Sequence, residues 1–239
     1  MYFPRGINKK VGIIVQARMG STRLPGKVLM KLVDSESILG YLLKRLSGCS
    51  FVDKIIVATT TNPKDDILER WLKKRKQDFY RGSEDDCIKR YYKAADKFGL
   101  DIVIRITSDC PFILPDIVDE MVKYYLFNMK DIDYLSNRQA TNFPEGTDVE
   151  IFTSKMLQEA QQEAKLKEER EHVNNFFLNR PTRYRIRYYN HNLRRDYSRF
   201  KLSIDTAEDL KKAKSFLKEN NLPLNFAFKD LAKALSNII

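Results

Sequence analysis

The stretch Val11–Lys27, VGIIVQARMGSTRLPGK, joins a short apolar run to a loop rich in charge and backbone freedom. Val11–Gln16 is continuously apolar up to its last residue, as a strand buried on both faces of a parallel sheet requires. Ala17–Lys27 then lies at the carboxyl end of that strand, the edge at which open α/β sheets bind their ligands. The loop carries Arg18, Arg23 and Lys27. Gly20 and Gly26 let a ligand approach the backbone closely, and Ser21 and Thr22 add hydroxyl donors. With Gln16 and Ala17 at the junction, these residues form a candidate nucleotide site, because clustered cations and free amides suit a triphosphate. Two familiar phosphate loops are excluded by spacing. Five residues separate Gly20 from Gly26 where a P-loop needs four, Val28 stands where it needs Ser or Thr, and no GxGxxG run is present.

Working outward, strand and helix patterns alternate. Ser37–Gly48 reads as a helix with Ile38, Leu39, Leu42, Leu43 and Leu46 on one face. Lys54–Thr59 is a second buried strand, followed by a polar helix over Asp65–Lys76 and a short strand at Asp78–Arg81. Glu84–Phe98 is an amphipathic helix whose Cys87, Ile88, Tyr91, Tyr92, Ala95 and Phe98 share a face. Asp101–Thr107 is a strand, and Pro115–Met129 a helix opening on proline. This alternation predicts right-handed crossovers and a mostly parallel sheet. From about Asp131 the rhythm changes. Short strands are expected at Asp133–Ser136, Asp148–Phe152, Tyr184–Tyr189 and Phe200–Ile204. Helices are expected around Lys155–Ala164, Glu168–Leu178 and Ala207–Lys218. The whole chain, 1–239, is read as one α/β domain, with a core over about 10–130 and 200–220. A mixed extension over about 131–199 would serve an acceptor or a homodimer contact.

Bulk properties narrow the class. A length of 239 residues suits one sizeable core. There is no apolar run of transmembrane length and no signal-peptide core, so a cytoplasmic protein without membrane insertion is expected. The surplus of 43 Lys+Arg over 32 Asp+Glu, a formal charge of +11, suits anionic partners. Cys49, Cys87 and Cys110 are too scattered for a disulfide framework or zinc site, and His172 and His191 are too few for a histidine-rich metal centre.

Acidic residues stand at two further strand ends. Asp109 follows Asp101–Thr107 directly, and a carboxylate there can ligate Mg²⁺, which shares oxygen ligands with substrate phosphates. Asp205 follows Phe200–Ile204; if that strand joins the same sheet, both carboxylates reach one metal. Asp205-Thr206-Ala207-Glu208 also reads as a helix cap with Glu208 at its third position. Cys110 has no thiolate-activating partner in the sequence and is set aside as a nucleophile.

The loop, Asp109 and Asp205 together resemble the sugar-acid cytidylyltransferases. IVQARMGSTRLPGKVL is similar to the opening of the spore-coat polysaccharide cytidylyltransferase-like family, and more distantly to the synthetases of CMP-linked octulosonate and sialic acids. Further matching stretches are VATTTNPKDD, FYRGSEDDCIKRYY, IRITSDCP, FPEGTDVEIF, EREHV and SIDTAEDL. The resemblance implies a Rossmann-like α/β/α sandwich of nucleotide-diphospho-sugar transferase type. It implies CTP as donor, Arg18, Arg23 and Lys27 as phosphate ligands, and Arg81 and Ser83 at the base pocket. It also implies Asp109 and Asp205 as Mg²⁺ ligands. The chain departs from the octulosonate enzymes at Ser108 and Cys110, where those carry a glycine and an acidic residue, so their acceptor is not transferred.

Three groups are less easily placed. Arg170 and His172, in EEREH, are candidates for an acceptor carboxylate or hydroxyl, against a charged helix face. Asp148 and Glu150, two apart and so on one face of a strand, are candidates for sugar hydroxyls or a second Mg²⁺. The arginines 180, 183, 185, 187, 194, 195 and 199 interleave with tyrosines as at a nucleic-acid surface, but a charge-protected edge strand accounts for them without a ligand. The expected reaction is attack by an acceptor oxygen on the α-phosphorus of CTP, with Lys27, Arg18 and Asp109 as catalytic groups. A glycosyltransferase of the same fold, using a finished nucleotide sugar, is the alternative; an RNA-binding protein would leave both aspartates without a role.

Overall fold

The computed structural model of the protein describes residues 9–138, 141–190 and 195–237. Within them the apolar runs form strands of one sheet. β1 is Val11–Gln16. A hairpin follows, β2 (Lys31–Val33) and β3 (Glu36–Ser37), then helix α1 (Ile38–Leu46). β4 is Lys54–Thr60, α2 Asp66–Lys74, β5 Phe79–Gly82, α3 Cys87–Phe98, β6 Ile102–Thr107 and α4 Pro115–Phe127. The second part supplies β7 (Tyr134–Ser136), β8 (Glu150–Thr153), α5 (Ser154–Glu163), α6 (Lys167–Glu171), α7 (Val173–Leu178), β9 (Ile186–Tyr188), α8 (Ala207–Glu219) and α9 (Phe228–Ser236).

Among the described residues, seven strands pair in the order β5-β4-β1-β6-β8-β7-β9. The half from β5 to β6 is parallel. β8 runs antiparallel to β6 and β7, and β9 pairs parallel with β7, so the extension continues the same sheet. Alternating side chains of each strand enter opposite layers. Ile13, Val15 and Val57 pack with α1, α4, α8 and α9, whereas Ile14, Ile56 and Ala58 pack with α3, α5 and α7. The result is the expected α/β/α sandwich, dry on both faces of a mostly parallel sheet.

β1 lies between β4 and β6. The chain winds to one side of β1 and later returns to the other. The loops after β1 and β6 therefore separate and leave a crevice at the carboxyl edge, the switch point of such sheets.

Three local expectations are corrected. Phe200–Ile204 is not a sheet strand. It makes one parallel bridge, Lys201 with Glu145. Leu202 N donates to Glu145 O at 2.8 Å, and Ile204 N donates to Asp109 O at 2.8 Å. Gly146, at φ 93°, lets the two segments touch, since a Cβ there would stand 2.3 Å from Ser203 N. The cap of α8 is Thr206 with Asp209 as its reciprocal partner, not Asp205 with Glu208, which leaves Asp205 outside the cap. The hairpin β2–β3 and helix α9 carry no signal read from the sequence. The helix expected over Glu168–Leu178 is divided at His172 into α6 and α7.

Candidate active site

The loop after β1 is folded by its own backbone. Gly26 N donates to Met19 O at 2.9 Å, and Gly26 adopts φ 73° to allow it. Asp65, buried at the start of α2, accepts from Met19 N at 2.6 Å and also from the Thr60 hydroxyl. The loop is thus pinned to the neighbouring strand end, and a short 3₁₀ turn, Lys27–Leu29, carries Lys27 inward.

Lys27 is the centre of the site. It is buried, at 8% exposure, and its ammonium donates to Asp109 Oδ2 at 3.2 Å, Asp205 Oδ1 at 3.1 Å and Ile204 O at 2.7 Å. One lysine therefore joins three segments: the loop after β1, the turn after β6 and the turn before α8. Asp205 has further cations, Arg23 at 2.8 Å and Lys201 at 3.3 Å. Burial pushes the Asp109 carboxyl up, but the Lys27 ammonium and the Thr107 hydroxyl outweigh it and hold the group below its ordinary range. Burial raises the Cys110 thiol, and the Asp109 and Asp148 carboxylates raise it further, so it is an inert thiol rather than a nucleophile.

Two adjoining hollows open here. The first, about 360 Å³, is lined by Gln16, Arg18, Ser21, Thr22, Arg23, Lys27, Val28, Thr107, Ser108, Asp109, His172 and Asp205. The second, about 510 Å³, shares Arg23, Thr107, Asp109, His172 and Asp205 with the first and adds Arg105, Cys110, Arg138, Glu145, Asp148, Lys201 and Ser203. Under the second hollow, Arg105 donates to Glu150, which also accepts from the Tyr134 hydroxyl, all three being buried. Asp148, on the way into β8, makes no hydrogen bond among the described residues, and its nearest cation is Arg138 at 3.8 Å. Burial pushes its carboxyl up to about 6; Arg138 opposes this, while Glu150, Glu145 and Asp109 reinforce it.

The structure brings most of the expected residues together, with exceptions. Ala17 and Gly20 stand in the loop backbone behind the first hollow, with the Ala17 amide bonded to Ala58 O at 3.2 Å. Arg81 does not reach either hollow. Its guanidinium donates to Thr60 O, Asn62 O, Asp66 and Glu69, joining the ends of β4 and β5 to α2. The Ser83 hydroxyl accepts from Asp86 N at 3.1 Å, beside the start of α3. Arg170 is held by Ala164 O, Gln161 and Asp86, away from the hollows, whereas His172, two residues on, lines both. Glu150 does not present its carboxylate to a ligand beside Asp148, because β8 begins only at Glu150 and buries it at 1% exposure.

The arginine-rich segment is largely paired internally: Arg180 with Glu169, Arg183 with Glu159 and Glu163, Arg185 with Asp133. Arg194 and His191 lie outside the described residues. Residues that sequence reasoning missed are Asp65, Arg138, Lys201 and Ser203. Asp65 stands inside the matching stretch VATTTNPKDD, which was the available signal, and Glu145, singled out with Asp148 and Glu150 in PEGTDVEIF, lines the second hollow.

Residues 12–230 match the family model described as cytidylyltransferase. The chain belongs to the cytidylyltransferase family. It is 33% identical over 207 residues to the spore coat polysaccharide biosynthesis protein SpsF of Bacillus subtilis, an alignment covering 84% of each protein. A cytidylyltransferase structure from Leptospira borgpetersenii superposes with a TM-score of 0.89 at 38% identity, covering 96% of this chain and 94% of that one. A CMP:2-keto-3-deoxy-manno-octonic acid synthetase, solved with CTP, superposes at TM-score 0.68 and 18% identity over 88% of this chain and 99% of that one, a likeness of fold. Among the described residues, no helix is long and apolar enough to cross a membrane.

Proposed function

We propose that this cytidylyltransferase moves the CMP group of CTP to a hydroxyl of a sugar or sugar acid, releasing pyrophosphate, in the synthesis of a surface polysaccharide or glycan. The observation that carries the reading is the meeting of Lys27, Asp109 and Asp205 at the switch point of the sheet. SpsF, named for spore coat polysaccharide biosynthesis, supports the pathway class. The synthetase solved with CTP supports the donor.

The donor set suits Mg²⁺. A single ammonium bonds both Asp109 and Asp205, so the two carboxylates stand within reach of one cation. Among the described residues no group of three or more His, Cys, Asp or Glu forms a complete cage. Mg²⁺ characteristically takes one or two carboxylates and fills its octahedron with phosphate oxygens and water. When bound, it supplies charge neutralisation at the phosphate oxygens during an in-line displacement. The chain's own residues do the rest. Arg18, Arg23 and Lys27 bind the phosphates and offset the charge that grows on departing pyrophosphate. Ser21 and Thr22 add hydroxyl donors. The second hollow, of about 510 Å³, has the size of a small-molecule site and holds the acceptor against His172, Arg138 and Asp148. The acceptor oxygen forms its bond to the α-phosphorus as the bond to the pyrophosphate oxygen breaks. No covalent enzyme intermediate is required; positioning supplies the rate.

The test is a screen of acidic, neutral and amino sugars with CTP and Mg²⁺, reading pyrophosphate and product mass. A CMP-linked sugar formed with one pyrophosphate per turnover is expected. Release of a nucleoside diphosphate from a nucleotide sugar, with no reaction from CTP, would replace this reading with glycosyl transfer.

A further inference from the structure

The carboxylates proposed to hold a divalent ion are already contested by the protein's own cations. Lys27 has three N–H donors, and all three are used: Asp109 at 3.2 Å, Asp205 at 3.1 Å and Ile204 O at 2.7 Å. Arg23 and Lys201 add contacts to Asp205 at 2.8 and 3.3 Å. Lys201 is shared with Asp209 at 2.9 Å, so three negative charges face three positive ones and the aspartates are already neutralised. The Lys27 side chain is 10% exposed and that of Asp205 13%, so solvent screens this one contact far less than it would a surface pair.

A dication entering alone would meet carboxylates whose charge is already balanced, and would have to break two hydrogen bonds of a buried ammonium. A triphosphate changes both terms. It brings the negative charge that an added dication needs, and it offers Lys27 and Arg23 alternative oxygen acceptors. The same cations that repel the metal attract the nucleotide.

We propose that Lys27 competes with the divalent ion for Asp109 and Asp205, and that triphosphate settles the competition by drawing Lys27 onto its own oxygens. The inference rests on the nucleotidyl-transfer reading of the site. Lys27 then has two partners in turn, the aspartates and the phosphates, and its passage between them makes metal and nucleotide bind cooperatively. Because such coupling is reciprocal, the nucleotide tightens the metal by the factor by which the metal tightens the nucleotide. A free metal ion is thereby discouraged from settling on the aspartates without a substrate to act on.

The experiment is a titration of the whole protein with Mn²⁺ alone, followed by electron paramagnetic resonance, and repeated with CTP. Lys27→Met, which keeps an unbranched side chain one atom shorter and removes the charge, should bind Mn²⁺ without nucleotide at least about tenfold more tightly than the wild type. The added site should vanish when Asp109→Asn is combined with it. CTP should tighten Mn²⁺ strongly on the wild type and much less on Lys27→Met. Lys201→Met, which removes a cation from Asp205 and Asp209 but leaves both Lys27 contacts in place, should give a smaller gain. Lys27→Gln is the substitute if Lys27→Met does not fold, with the same expectation. Nucleotide-free Mn²⁺ affinity that is unchanged or weaker in the folded Lys27 variant overturns the competition. The underlying reading fails separately: if CTP leaves Mn²⁺ binding to the wild type untouched while the Lys27 variant gains an Asp109-dependent site, the competition stands and nucleotidyl transfer does not.

Discussion

The two adjoining hollows share five lining residues yet settle their charges in opposite ways. In the first, the acids and cations are paired with one another across three segments. Arg23 reaches Asp205 with a side chain 64% exposed, so it is free to change partners. In the second, the buried cation, Arg105, is locked under the floor by Glu150 and Tyr134, and the acid at the wall, Asp148, has no hydrogen bond. Under the proposed function, the difference separates two tasks. A site for a highly charged ligand keeps exchangeable counter-ions. A site for a hydroxyl-rich ligand keeps a rigid floor and leaves an acceptor of hydrogen bonds unspent.

The largest effect should come from the first hollow. Asp109→Asn removes a carboxylate at the point of charge build-up, and turnover should fall by about 100-fold or more, the order found when one such electrostatic group is lost. Its melting temperature should stay near that of the wild type. Full activity would remove Asp109 from the chemistry and dissolve the contrast.

Next comes the floor of the second hollow. Glu150→Ala leaves the Arg105 guanidinium buried without its carboxylate, and the loss in unfolding free energy should be about 3–5 kcal/mol by denaturant titration. A loss below about 1 kcal/mol would mean that water reaches Arg105 and that the floor is not rigid.

Asp148 gives a smaller effect with a definite sign. Its folded pKa, about 6, lies above the usual carboxylate value, so the folded state binds the proton more tightly than the unfolded one. The protonated group is fully compatible with folding at acid pH, and stability is lost as pH rises through about 6. Asp148→Asn should therefore be more stable than the wild type at neutral pH by on the order of 2 kcal/mol, an advantage that shrinks to nothing near pH 4. A constant difference across that window would show that Asp148 carries no buried charge. Asp209 runs the other way. Burial raises its carboxyl, but Lys201 and the amides and hydroxyl of the α8 cap overcome this and lower it to about 2. Its contribution persists until strongly acid pH.

The smallest effect is expected on the arginine-rich edge. Arg183→Ala removes exposed pairs with Glu159 and Glu163, and neither stability nor CTP binding should differ measurably from the wild type. Weakened CTP binding there would extend the nucleotide surface beyond the first hollow.

The parallel half of the molecule was legible because its signals are local. A buried strand reads as an apolar run, and the residue after it falls at the ligand edge whatever the rest of the chain does. That logic located the loop of Arg18, Arg23 and Lys27, and it located Asp109. Asp205 was found by the same reasoning although its segment is not a sheet strand. What carries it to the edge is one bridge to Glu145, the close approach at Gly146 and a backbone bond to Asp109, all long-range contacts without periodicity. Arg81 shows the converse. The family resemblance sets it at a base pocket, but its four partners in β4, α2 and the turn between them hold it away from both hollows. Glu150 likewise has the same local sequence whether its partner is a sugar or Arg105. Charge pairing across the fold decides such residues, and a single sequence does not display it.

The measurement that tests the central claim most directly is calorimetric titration of the protein with CTP, UTP, ATP and GTP in the presence of Mg²⁺. It needs no knowledge of the acceptor. Nucleotidyl transfer from CTP predicts selective CTP binding that depends on Mg²⁺ and weakens in Lys27→Ala. Binding of another triphosphate in preference to CTP would contradict the donor, and the absence of binding by any triphosphate to the folded protein would contradict the reaction itself.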